Sequence, residues 1–417
     1  MTLKNIVRIL FATGMFCWLP TQAMNLLTPY SVLIRPPFRL DSTRFHLDFY
    51  AEHGFDATGF DSCGAIVPIT QIRFADQNAL AMLDGFDPNT AIGQLAANLR
   101  ADAAVDDGVR GRYKVCGNLD FNGFSFDGRV KFLDNFFLTA YLPFYTMQLK
   151  NTCWQNQTQN ITSGDVSIRQ KLTDNFFANV CELGGLYLGD WKRTGLGDFI
   201  LMLEWVRDFP QAKPFLRNAQ VNWRIGTSLP SGLRQDEDKI LAPSFGGDGA
   251  VGLLFGLQLK LTLGSYLNVG GNVDLLHLFG NSKLRRIKTF DGQTDLLLLQ
   301  KAFAYKDFGL TQRFDLYTEF MSLRGFNLKV GYQYFKHGDD ILALDCQEFS
   351  DFIANTSENL FDKTLHQVIV NASYDFAYLL DPCTAIKPYI SFFTRLPVIG
   401  QRTIACPTFG GVIAFDF

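Results

Sequence analysis

Beyond residue 23 no apolar stretch reaches the ~18 to 20 residues that a helix needs to cross a bilayer, which excludes an α-helical membrane protein. Charge of one sign is also missing. The 38 Lys plus Arg stand against 41 Asp plus Glu with no long block of either, which argues against nucleic acid as a partner. The cysteines form no CxxC and no close Cys/His cluster, so no metal site is expected. His46, His53, His277, His337 and His366 are scattered, and none stands beside a nucleophile in a recognisable elbow. The chain is therefore not expected to be an enzyme or to carry a cofactor. Charged residues are sparse at 19%, whereas aromatics are plentiful, with 40 Phe and 14 Tyr. That mixture suits strands with one apolar and one polar face.

The N-terminus carries an address. Lys4 and Arg8 precede the apolar run 9–19, Pro20 breaks it, and Thr21-Gln22-Ala23 offers small residues for cleavage. Residues 1–23 read as a signal peptide for the general secretory route, cut after Ala23. Its removal would take Cys17 and leave an odd set at positions 63, 116, 153, 181, 346, 383 and 406. In an oxidising compartment Cys346 and Cys406, both in late loops, are the candidate disulfide.

Period-2 alternation then runs to the last residue. In AQVNWRIGTSL, 219–229, Val221, Trp223 and Ile225 oppose Gln220, Asn222 and Arg224. Fourteen such segments lie near 44–53, 112–133, 136–149, 164–173, 176–188, 197–208, 218–229, 248–262, 266–279, 307–321, 326–337, 363–377, 386–396 and 408–417. Short connections such as Asp134-Asn135 and Gly264-Ser265 alternate with long polar ones such as 230–247 and 280–306. This is the rhythm of an antiparallel up-and-down barrel in a bacterial outer membrane, with short periplasmic turns and longer outer loops. The expected fold is all-β, about 14 strands (12 to 16), spanning residues 43–417.

Two stretches stand apart from the strands. Residues 24–42, with Pro29, Pro36 and Pro37, form a leader able to enter the barrel from the periplasm. The insertion 55–110 after the first strand holds helix-like pieces near 75–84 and 90–103 and is expected to fold, as a plug or a lid. Local echoes also recur. KFLDNFF at 131–137 returns as KLTDNFF at 171–177, and Gly-Asp precedes strands at 164–165, 197–198 and 247–248. Gly-Asp is a turn former, so these read as loop-to-strand junctions.

If the apolar parities face lipid, Arg112, Lys114, Asp120, Arg224, Lys260, Asp274, Arg313, Asp315, Glu319, Lys329 and Asp375 face the lumen, because charge on the lipid side costs a few kcal/mol near the bilayer middle. They would line a pore, or pair with one another and fill it. Both signs are present, so no strong ion selectivity is expected. At the C-terminus Phe409, Ile413, Phe415 and Phe417 form one apolar row. Its ending resembles the aromatic signal read by the barrel assembly machinery, with Phe417 as the anchor.

Gly195, Gly197 and Asp198, followed by Ser228-Leu229-Pro230-Ser231-Gly232, resemble the family named for the MetA pathway of phenol degradation. Strand count and size are more distantly similar to the long-chain fatty-acid transporters, whose Asn-Pro-Ala signature is absent here. The resemblance implies a pore or transporter for small molecules, apolar or aromatic ones among them, with outer-membrane lipid, the assembly machinery and a solute as partners. A structural or adhesive surface barrel with a closed lumen is the alternative, and an outer-membrane hydrolase a more remote one.

Overall fold

The computed structural model describes residues 31–38, 44–102, 111–157, 170–322, 325–380 and 384–417. The expected signal segment, Cys383 and the Gly-Asp pair at 164–165 lie outside these residues. Twelve antiparallel strands close into a barrel: β1 Phe45–Gly54, β2 Arg112–Leu133, β3 Phe136–Asn156, β4 Phe199–Pro210, β5 Leu216–Leu229, β6 Gly252–Leu263, β7 Leu267–Leu278, β8 Thr311–Met321, β9 Phe326–His337, β10 Lys363–Asp375, β11 Lys387–Gln401 and β12 Thr408–Asp416. Each strand pairs with the next in sequence. The ring closes where β12 meets β1, with Phe49 opposite Ile413 and His46 opposite Asp416. Two shorter strands extend the wall, Gln77–Asn78 on β2 and Trp191–Leu196 on β3.

Twelve lies inside the expected range, and the difference from fourteen has a local cause. Of the expected strand 164–173, the described part Gln170–Asp174 is a π-helical turn, and in place of 176–188 stands helix α2, Phe176–Gly184. Phe176 and Val180, one helical turn apart, are buried while Ala178 between them is exposed, an arrangement that strand alternation cannot give. Gly185, at φ 61°, ends the helix in the left-handed region that favours glycine, and its N–H bonds the Cys181 carbonyl. The repeated Asp-Asn-Phe-Phe is thus a hairpin turn at 134–137 and a helix start at 174–177.

The outward parity of the strands is apolar and exposed: Leu253, Phe255, Leu257 and Leu259 on β6, Phe314 and Leu316 on β8, Phe409 and Ile413 on β12. A contiguous apolar girdle of this kind matches hydrocarbon as the surrounding solvent. No helix among the described residues is long and apolar enough to span a membrane.

The connections after β2, β4, β6, β8 and β10, with Phe417, lie at one end of the barrel, and those after β1, β3, β5, β7, β9 and β11 lie at the other. The long connections fold together into a cap. The insertion contributes Ile69, Ile72, Met82, Leu83 and, from α1 (Ala91–Asp102), Leu99, and these pack on Leu172 and Val180, on Phe245, and on Leu296 and Leu299 from three other loops. The expected helix at 90–103 is α1, whereas 75–84 supplies the short strand on β2 and a single turn at Ala81–Leu83. The upper inner faces of β2 and β3, with Tyr113, Val115, Leu119, Phe121, Met147 and Leu149, complete this core. A fully buried Leu or Phe contributes about 1.5 to 3 kcal/mol, so the cap is a packed body joined to the wall. A three-stranded sheet, Asn281–Arg286, Lys301–Asp307 and Ile341–Leu344, raises the wall above β7 and β8.

Cys116 and Cys153 face each other across β2 and β3, with Cα atoms 5.1 Å apart, and form a disulfide. The expected Cys346–Cys406 bridge is not made. Cys346 packs beside the three-stranded sheet, whereas Cys406 is buried in the cap core, where burial pushes its thiol pKa up.

Candidate functional site

The lower lumen is occupied by the leader. Leu33 and Ile34 are buried against Tyr317, Ile369, Phe393 and Val412, inward residues of β8, β10, β11 and β12. The Asn371 side-chain amide donates to the carbonyls of Leu33 at 3.1 Å and Ile34 at 3.3 Å, satisfying backbone that no sheet serves. Gly331 leaves room for this passage, since a Cβ there would lie 2.7 Å from a Leu33 methyl. Arg35 donates to both carboxylate oxygens of Glu204, at 2.9 and 2.6 Å, and lies 3.8 Å from Asp127. Phe38 sits against Phe137 and beneath the Arg129 guanidinium, 4.5 Å from its ring. Below and beside the leader, His46 bridges Asp416 at 2.7 Å and Asp48 at 3.3 Å, and Arg395 meets Glu52 at 3.3 Å.

Seven of the expected lumen residues come together on the inner wall. Asp274 accepts from Arg224 at 2.6 Å and from Arg313 at 3.0 Å, and Asn272 joins it to Asp315. Glu319 accepts from Asn268 at 2.8 Å and lies 3.9 Å from Lys329, with Lys260 within electrostatic reach. Opposite charges on neighbouring strands thus pair with each other, and Arg224 of β5 reaches Asp274 of β7 across Gly256 of β6. Asp375 ends β10 and caps the following turn through the Ala377 N–H.

Arg112, Lys114 and Asp120 are not on that wall. Along β2 the odd positions from Tyr113 to Arg129 point inward, which leaves Lys114 exposed and sets Asp120 against Lys150 on the outer side. Above the membrane the inner face of β2 packs on the cap core, so its apolar side turns in and its charged side turns out. Sequence reading also missed Arg35, Asp127, Arg129, Glu204, Glu52 and Arg395. Their signal was available in part, because Asp127 and Arg129 continue the parity of Phe121.

The Gly-Asp motif is a clasp. At Gly197-Asp198 the wall strand breaks opposite Pro143, which has no N–H to offer the ladder, and Asp198 turns inward. Its carboxylate accepts the backbone N–H of Gly247 at 2.6 Å and of Gly232 at 2.9 Å. Ser231 accepts the Phe199 N–H and donates to the Gly197 carbonyl. The two short motifs of the middle chain, Gly195 to Asp198 and Ser228 to Gly232, therefore meet in space. Burial pushes the Asp198 carboxyl above the usual range, and the two N–H groups oppose that rise. At the neighbouring Gly-Asp pair burial also acts upward on Asp248, but Lys283 at 2.8 Å and Arg285 at 2.7 Å hold it below the usual range.

Between the clasp, the upper inner wall and the cap lies a cavity of about 320 Å³. Tyr145, Ile200, Leu278, Phe308, Phe335 and Ile404 give it an apolar lining, and charged groups of both signs stand around it. Tyr145 also borders a second cavity of about 40 Å³, closed on its other side by Ile34 and Arg35 of the leader. No cluster of three or more His, Cys, Asp or Glu among the described residues is arranged to hold a metal ion.

Neither a family model nor a curated protein matches the chain. Among solved structures, an outer membrane channel from Pseudomonas putida F1 matches with a TM-score of 0.51 at 10% identity, covering 94% of this chain and 100% of that one. A FadL homologue from Pseudomonas aeruginosa matches at 11% identity over 95% of this chain and 98% of that one, with a TM-score of 0.30. The monoaromatic hydrocarbon channel CymD does so at 8% over 90% and 89%, also at 0.30. The first likeness shows a shared antiparallel β-barrel fold, and the other two add no argument.

Proposed function

We propose that the protein is a bacterial outer-membrane channel for small solutes with an apolar part, gated by its own leader. The observation that carries this reading is the pair of cavities on either side of Tyr145, one under the cap and one against Ile34 and Arg35. A site of about 320 Å³ is of the size that holds a small molecule, and a wall of mixed sign suits no single ion. The next step inward meets eight described leader residues held by a few side-chain contacts. A solute therefore crosses when the leader shifts, and the resting state is closed.

The test is uptake into proteoliposomes. The intact chain should pass a small aromatic solute slowly, and removal of residues 31–38 should raise the rate and admit small sugars. If neither form passes any solute, the barrel is a closed surface structure, the alternative that the filled lumen favours. No hydrolytic chemistry is required for either reading.

A further inference from the structure

The charges around the outer cavity do not cancel locally. At one pole the loop 355–362 and the start of β10 bring Arg73, Lys288, Lys306 and Lys363 together with Asp295 and Asp340. The two carboxylates are already served. Asp340 is 2.7 Å from Lys306 and 2.9 Å from His337 and accepts the Gly309 N–H at 3.0 Å. Asp295 accepts from Ser357 at 2.9 Å and from the Asn359 N–H at 2.8 Å, with Arg73 at 3.7 Å.

Lys288 and Lys363 are left with carbonyls alone. The Lys288 ammonium, whose residue is 3% exposed, donates to the backbone of Asp291 at 3.0 Å and Thr356 at 3.3 Å. Lys363 donates to the Asn359 carbonyl at 2.8 Å. Neither makes an ion pair with a carboxylate among the described residues. An ammonium has three donors, so each retains at least one beyond these bonds, and the carboxylates that act on them, Asp340 and Asp295 on Lys363 and Glu358 on Lys288, do so only from beyond ion-pair distance. Beside the pair lie Ile287, Leu342, Leu360 and Phe335, an apolar surface on the same cavity.

We propose that this pole is a binding site for a small organic anion with a compact oxyanion head, held by Lys288 and Lys363, and an apolar body laid against Leu342, Leu360 and Phe335. The inference rests on the channel reading and narrows its substrate class. The opposite pole is less suited to such a head, because its lining cations are already paired, Lys239 with Asp236 at 2.6 Å and Arg286 with Asp238 at 3.1 Å. Entry from the cap side then orients the solute head toward β10 and tail toward Tyr145.

Calorimetry on the full chain in detergent tests this with four probes of one body: 4-ethylbenzoate, 4-ethylbenzenesulfonate, 4-ethylphenyl phosphate and the neutral 4-ethylbenzyl alcohol. At least one anion should bind about tenfold or more tighter than the alcohol, and added salt should narrow the gap. The K288Q/K363Q double variant should lose that gap, and K288R/K363R should keep most of it. The order among the three anions identifies the head. Equal binding of alcohol and anions, or an anion affinity unchanged in K288Q/K363Q, overturns the proposal. If the alcohol still crosses proteoliposomes in that case, the channel reading stands without the anion site. If nothing crosses, the channel reading itself has failed.

Discussion

Arg35 reaches across the barrel and engages Glu204 with both arms of its guanidinium, at 2.9 and 2.6 Å, so a residue of the leader is bonded to the inner wall 169 positions away. This contact fixes the leader in the lumen. It is fully enclosed, and Thr139 and Asn222 turn their side chains to the same carboxylate.

Glu204→Gln should free the leader. Removing one charge of a buried pair costs about 3 to 5 kcal/mol because its partner stays buried and uncompensated. Asp127 and Arg129 do not replace the lost partner, since Asp127 is 3.8 Å away and already faces Arg129. Single-channel recording should show larger and more frequent openings than in the intact chain. A cysteine introduced at Leu33 should become reactive to a periplasmic-side maleimide. Unchanged conductance and labelling would show that the apolar contacts of Leu33 and Ile34 hold the leader unaided.

The clasp gives a second test. Asp198→Ala leaves the N–H groups of Gly247 and Gly232 without their acceptor, and each orphaned buried donor costs about 1 to 3 kcal/mol. The thermal midpoint should fall by several degrees, and protease should cut first within 230–251. Cleavage elsewhere first would mean that the clasp does not anchor that loop.

Much of this architecture was legible from alternation alone, because the barrel strands are bounded by recognisable turns and have a lipid face to advertise. The exception in kind is β2. Its upper half follows the same period as its lower half, but Tyr113, Val115 and Phe121 are apolar because they face the cap, and Phe124 because it faces lipid. Periodicity gives parity without telling which apolar solvent lies on which side, so Arg112, Lys114 and Asp120 were assigned inward. The leader was harder still. Nothing in Ser31 to Phe38 announces that Arg35 will find Glu204, since that contact depends on closure of the whole ring. Likewise Lys288 and Lys363 lie in a loop and at a strand start, where no period marks their common cavity.

The disulfide was within reach of sequence reading. Cys116 and Cys153 stand equally far from the turn at Asp134-Asn135, and the two register shifts along the hairpin, between Lys131 and Leu133 and between Cys116 and Asn118, offset each other and leave the pair face to face. Peptide mapping without reduction should recover one linked pair from these two residues, with Cys346 and Cys406 alkylated as free thiols once the protein is unfolded. Cys116→Ser should lower stability by about 2 to 4 kcal/mol and leave solute uptake unaltered. A recovered Cys346–Cys406 peptide would contradict the packing of both residues.

Acid should loosen the cap. Burial acts to raise the Asp340 carboxyl, but its hydrogen bond to His337 and the charge of Lys306 outweigh that and hold it well below the usual range. A depressed folded value means that the stabilisation is present above the ordinary Asp value of about 3.9. It is lost as pH falls from there through the lower folded value. Hydrogen exchange across 281–307 and 338–345 should therefore quicken below about pH 4. In Asp340→Asn the same segments should be looser at pH 7 and respond less to acid. An acid response as large as in the intact chain would assign the effect to other carboxylates.

Phe417 supports the last prediction. Its backbone exchanges bonds with β1, N–H to the Phe45 carbonyl at 2.8 Å and carbonyl from the Arg44 N–H at 3.0 Å, and its ring lies 5.7 Å from that of Phe45. The residue therefore stands at the seam where β12 meets β1, on the lipid side with Phe409 and Ile413. A barrel has no free edge only once this seam is sealed, and until then β1 and β12 both present unpaired backbone to the membrane. Deleting Phe417 should thus cut the yield of folded barrel in the outer membrane several-fold while the molecules that do assemble conduct as before, because no atom of Phe417 borders the lumen. Normal yield with altered conductance would reverse that assignment and place Phe417 in the pore instead.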